Sequence, residues 1–184
     1  MGSDRHHLSR PRLIGYPRPM RRLALIPLLI ATPAPARDAL GVFGTWAAFR
    51  DSAIPRCYAI AMPLPGTTRR DTQPYAAIGT WPRRPVRARP LRAQVHFHLS
   101  HRLAPASLIT LSLAGQHHRL IGAGLDAWAP DPRMDAAITA AMRSAETMTL
   151  SARDTTGHPF TDTYPLPGAA TAMDAAALAC ASKG

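Results

Sequence analysis

Histidine and cysteine are the residues whose types and spacing can carry chemistry in this chain. His96 and His98 stand two apart, His101 follows closely, and His117 and His118 are adjacent. Residues two apart on a strand share a face, so His96 and His98 project together, with His117 and His118 on a candidate neighbouring strand. Paired imidazoles on one sheet face can hold zinc or copper. His96, His98, His117 and His118 are therefore candidate ligands. No Asp, Glu or Cys nearby in sequence completes a set, and no metal is assigned; the plainer alternative is a polar sheet face that uses histidine.

Cys57 and Cys180 are the two cysteines of the chain. They form no C-x-x-C pair, which argues against a redox dithiol or a thiolate metal site. An even count in an exported chain points to a structural disulfide, here tying an early strand to a carboxyl-terminal helix.

The arginines are the third group. Residues 64–92 contain Arg69, Arg70, Arg83, Arg84, Arg87, Arg89 and Arg92, with Pro65, Pro74, Pro82, Pro85 and Pro90 among them. Proline at that spacing favours an extended loop. Guanidinium forks suit phosphate or acidic glycans, so Arg83, Arg84, Arg87 and Arg89 are candidate anion-binding residues. Nucleic acid is not the expected partner, because Trp81 is the lone aromatic beside these arginines and base stacking needs several. The net charge of +11 divides into +5 on residues 1–36 and +6 on the rest, a moderately basic domain. There is no G-x-S-x-G elbow, the acidic residues are scattered, and Gly122-Ala123-Gly124 is no dinucleotide fingerprint. Neither an enzyme nor a cofactor is implied.

Ahead of these residues lies an address. From Met20 the chain reads MRRLALIPLLIATPAPAR: a basic start at Arg21 and Arg22, an apolar run from Leu23 to Ala31, and small residues at Ala34 and Ala36. That is the three-part pattern of a secretory signal peptide, with cleavage expected after Ala36. Residues 1–19 read as an upstream extension and Met20 as the expected start. The apolar run falls short of the roughly 20 residues that span a bilayer, and no transmembrane segment is expected in the mature chain.

The mature chain, residues 37–184, must supply the elements. Val42–Phe49 and Cys57–Met62 read as strands apolar on both faces, and Tyr75–Trp81 as a third. In Gln94–Ser100, Val95, Phe97 and Leu99 alternate with Gln94, His96 and His98. Ile109, Leu111 and Leu113 repeat the pattern, and Gly115-Gln116 offers a turn into His118–Ile121. Asp131-Pro132 starts a helix with Met134, Ile138, Ala141 and Met142 as its stripe. Strands follow at Met148–Arg153 and Phe160–Leu166, joined by a Thr155-Thr156-Gly157 turn. Ala169–Ala181 reads as a helix that turns Met173, Ala177 and Cys180 to one side. The expectation is a mainly β, antiparallel sandwich or barrel of about eight short strands with two short helices.

Taken in order, the Trp46 strand, Arg56-Cys57-Tyr58-Ala59-Ile60, the Asp135–Arg143 helix before a Met148–Ala152 strand, and the closing Leu166, Gly168 and Ala172 form a series. It resembles the invasion-associated locus B family of alphaproteobacterial periplasmic proteins, over about Leu40 to Cys180. That family usually has more cysteines in mid-chain, where this sequence reads Asp126-Ala127-Trp128-Ala129-Pro130. The resemblance implies a non-enzymatic periplasmic or envelope-associated protein that meets an envelope protein or an anionic envelope component. It brings no catalytic residues and leaves the oligomeric state open.

Overall fold

A computed structural model describes residues 37–51, 53–54, 56–66, 70–80 and 93–181. The signal-peptide residues, Ala34 and Ala36 among them, and Arg83, Arg84, Arg87 and Arg89 lie outside the described residues.

Gly44 decides the first element. The apolar run from Val42 to Phe49 reads as one strand, but Gly44 has φ +60°, a left-handed conformation that costs other residues about 1–2 kcal/mol. The chain turns there into a hairpin, β1 (Asp38–Phe43) and β2 (Trp46–Asp51). Two-sided burial is not reached either, since Val42 is 77% exposed. The run was continuous because two strands contribute to it, not because both faces of one are covered.

β3 (Arg56–Ala61), β4 (Tyr75–Thr80) and β5 (Gln94–His98) extend the meander. β6 (Ile109–Leu113), β7 (Gln116–Ala123) and β8 (Asp126–Trp128) follow, and β8 returns to pair with β5. After α1 (Pro132–Ala141), β9 (Thr147–Arg153) and β10 (Pro159–Pro165) add to β6, and α2 (Ala169–Ala181) closes the fold. All neighbours are antiparallel, in the order β1-β2-β3-β4-β5-β8-β7-β6-β9-β10. The mainly β, antiparallel class with two helices is the one expected. Among the described residues the sheet is open, with ten strands rather than about eight; the hairpin at Gly44 and the three-residue β8 supply the difference.

The sheet curls so that its last strand faces its first half. The Phe97 and Tyr164 rings meet at 5.8 Å, Leu64 N–H donates to the Thr163 carbonyl at 2.8 Å, and Ser100 N–H donates to the buried Asp162 carboxylate at 3.0 Å. The core inside the curl holds Trp46, Val95, Phe97, Leu99, Leu111, Met148 and Leu150, each at most 1% exposed. The period-2 readings of β5, β6 and β9 hold residue by residue.

Helix α1 starts as its sequence dictates, with Asp131 Oδ1 accepting from Arg133 N and Met134 N at 2.8 and 2.9 Å. Helix α2 packs on β1 to β4 through Ala169, Ala172, Met173, Ala176 and Cys180. Ala177 is exposed and does not share the Met173–Cys180 face. The stripe steps by three or four residues, and Ala176 is the residue that fits it. No described helix is long and apolar enough to cross a membrane.

Candidate functional site

Alternation along β5 sends Val95 and Phe97 into the core and leaves His96 and His98 on the outer face. The neighbouring strands then decide what surrounds them. β4 places Tyr75 opposite His98 and Ala77 opposite His96. On the other side, β8 places Trp128 opposite His96 and Asp126 opposite His98. β8 can lie this close because of Gly122, which pairs with Ala127. A Cβ there would stand 2.6 Å from the Asp126 carbonyl oxygen and 2.6 Å from Ile109 Cδ1. From the inner side, Val95 N–H donates to Asp135 Oδ1 of α1 at 2.8 Å, fixing β5 against the helix. Burial pushes the Asp135 carboxyl up, the Val95 hydrogen bond opposes this, and Asp131 adds to it.

Both imidazoles converge on one carboxylate oxygen. His96 Nε2 lies 2.9 Å and His98 Nδ1 3.0 Å from Asp126 Oδ1. A carboxylate oxygen only accepts, so each of these nitrogens carries a proton. In the neutral rings, His96 Nδ1 and His98 Nε2 are then lone-pair acceptors. Partial burial alone would raise the Asp126 carboxyl. The hydrogen bonds from His98 and His96, with their charge, outweigh it and hold the group below its ordinary 3.8. Two ring stacks frame the cluster: His98 on Tyr75 at 5.3 Å and 20°, and His96 on Trp128 at 5.4 Å and 17°. Tyr75 also meets His96 edge-on at 5.7 Å. Desolvation and the Asp126 charge push the Tyr75 phenol up, against the pull of Arg56 and Arg37.

The four candidate histidines do not form one set. His118 points inward from β7 and is 9% exposed, whereas His117 faces outward and hydrogen bonds Ser112 Oγ at 2.9 Å. Both lie on β7 short of Ile121–Ala123, the part that pairs with β8. His101 packs its ring on Phe160 and faces Asp71 at 3.3 Å. Among the described residues, no group of three or more His, Cys, Asp or Glu is placed to hold a metal ion.

Nor does a hydrolytic triad assemble among the described residues. The Ser112–His117 pair has no carboxylate within ion-pair distance of the imidazole among the described residues. The His98–Asp126 pair has the orientation of a base and its orienting acid, but no hydroxyl hydrogen bonds to His98 among the described residues. Tyr164, inside the curl, is held protonated by burial, with Asp162 adding to the effect and Arg70 opposing it.

Asp126, Tyr75 and Trp128 are the members of the cluster that a reading of the histidines alone misses. The signal is present but faint: Asp126 and Trp128 alternate between the Gly124 turn and Pro130, three residues that are easily taken for loop. Cys57 and Cys180 do pair, with S–S 2.00 Å and Cα–Cα 5.8 Å.

Of the residues that carry the resemblance, Trp46, Leu166, Gly168 and Ala172 lie elsewhere, around the junction of β10 and α2 with the β1–β2 hairpin; the Asp135–Arg143 and Met148–Ala152 segments belong instead to α1 with the turn after it and to β9. Trp46 is fully buried and its Nε1–H donates to the Pro165 carbonyl at 2.8 Å. Leu166 and Ala172 are buried in the same core. Gly168 has φ +93°, and a Cβ there would stand 1.8 Å from the Phe43 carbonyl oxygen. These positions are chosen for packing and backbone geometry, and none of them belongs to the His–Asp–His cluster. Comparison with protein-family models, with curated proteins and with solved structures finds no match for this chain.

Proposed function

We propose that the chain is an exported, non-enzymatic binding protein of the periplasm or envelope, similar in kind to invasion-associated locus B proteins. The observation that carries this reading is the Cys57–Cys180 disulfide. Such bridges form and persist in oxidising compartments and are rare in a reducing cytosol. The secretory pattern from Met20 to Ala36 gives the same direction independently. Its partner is an envelope protein or an anionic envelope component met by the arginines from Arg69 to Arg92, Arg83, Arg84, Arg87 and Arg89 among them.

The test is the intact, non-reduced mass of the protein recovered from a bacterial periplasmic extract. A mass equal to Arg37–Gly184 less two hydrogens supports export, cleavage and the bridge together. A full-length, reduced protein in the cytoplasm refutes the reading.

A further inference from the structure

We infer that the outer face of β4, β5 and β8 is a shallow binding site for a neutral saccharide. The inference goes beyond the anion-binding reading of the arginines and does not depend on where the protein resides.

The argument begins with the polar atoms that the cluster leaves unspent. Asp126 Oδ1 accepts a hydrogen bond from each imidazole. With neutral rings, what remains is Asp126 Oδ2, His96 Nδ1 and His98 Nε2, all acceptors. A complementary ligand must bring donors. An anionic ligand brings more acceptors and meets the Asp126 carboxylate with like charge, so phosphate and acidic sugars are disfavoured.

The rings supply the second half of the recognition. Tyr75, His98, His96 and Trp128 run across three adjacent strands, and exposed Ile121 continues the row beyond Trp128. One face of Tyr75 is taken by His98 and one of Trp128 by His96, so a ligand's weakly positive C–H groups would meet the remaining electron-rich surface of these rings. A pyranose presents that combination, with C–H on its ring faces and O–H at its edge. Sheet faces of small β folds are a known setting for oligosaccharide binding.

The site is also accessible and held in place. The His96 and His98 side chains are 26% and 25% exposed and that of Asp126 is 36% exposed. Each member sits on a strand; the Asp135–Val95 contact holds β5, and Gly122 lets β7 approach the flanking β8. A preorganised site loses less on binding.

The test uses the full chain with isotope-labelled Trp and His side chains, titrated with neutral cello-, malto- and chito-oligosaccharides and followed by NMR. Expected are millimolar, saturable shifts of the Trp128 indole and the His96 and His98 imidazoles, with His117 and His118 unmoved. Asp126→Ala and Trp128→Ala should each weaken binding about tenfold, with far-UV circular dichroism as the check on folding. The wild-type shifts locate the site even where a variant misfolds. No shift with any of these sugars overturns the proposal. So do shifts confined to other residues, or saturable shifts with tetramethylammonium and none with the sugars.

Discussion

Replacing Gly168 by alanine isolates the contact that joins the β1–β2 hairpin to the entrance of α2. The new Cβ would stand 1.8 Å from the Phe43 carbonyl oxygen, and real Cβ contacts do not fall below 3.0 Å, so the two segments must part by about 1 Å. Overpacking of this kind costs about 1–3 kcal/mol. The left-handed backbone at φ +93° adds about 1–2 kcal/mol for any residue with a Cβ. Separation also weakens the Trp46 Nε1–Pro165 hydrogen bond, worth about 1 kcal/mol. The expected loss is therefore about 3–6 kcal/mol. Gly115→Ala is the matched control: its φ is +75°, and nothing lies within 4 Å of a Cβ built there. That variant should lose only the backbone part, about 1–2 kcal/mol. Urea unfolding followed by circular dichroism gives both values. Equal losses at the two positions would refute the crowding argument and leave conformation alone as the reason for glycine at position 168.

Three further outcomes are expected. Cys57→Ala with Cys180→Ala removes a cross-link over 123 residues, for which chain entropy gives about 5 kcal/mol as an upper figure and about 2–5 kcal/mol in practice; denaturant midpoints of the variant and of dithiothreitol-treated wild type should fall together. Asp126 titrates below its ordinary 3.8 in the folded chain, so its contribution is present above that value and is lost as pH falls through the folded pKa. Asp126→Asn should flatten the acid limb of the stability–pH curve, and an unchanged limb would separate the carboxylate from the imidazoles. Replacing Arg83, Arg84, Arg87 and Arg89 by Ser should weaken adsorption to anionic vesicles, at about 1 kcal/mol per residue near the surface; unchanged adsorption at low salt removes the arginine segment as the anion-binding element.

Local pattern carried the parts of the fold that depend on local physics. The alternation of Val95, Phe97 and Leu99 with Gln94, His96 and His98 gives β5 its faces, and Asp131-Pro132 gives α1 its start. What depends on distant pairing was not legible. The partner of His98 is Asp126, 28 residues on, and it arrives only because β7 and β8 double back beside β5. Trp128 and Tyr75 belong with the histidines for the same reason. Val42–Phe49 misled because period-2 hydrophobicity is ambiguous where both strands of a hairpin are apolar, and one glycine divides them. Ala177 and Ala176 are indistinguishable by composition, and the geometry of α2 against the sheet selects the second.

The Cys57–Cys180 bridge has a consequence for the order of events in biogenesis. A chain emerges amino terminus first, and β4 to β10 with both helices lie between the two cysteines or reach the second. Cys57 thus waits for 123 further residues, about 6–25 s at ordinary synthesis rates of roughly 5–20 residues per second. Throughout that interval its thiol has no partner within its own chain. The hazard is a mixed disulfide with another molecule, because the helix that covers Cys57 of β3, α2, is the last element to emerge. The bridge can close only once α2 has emerged.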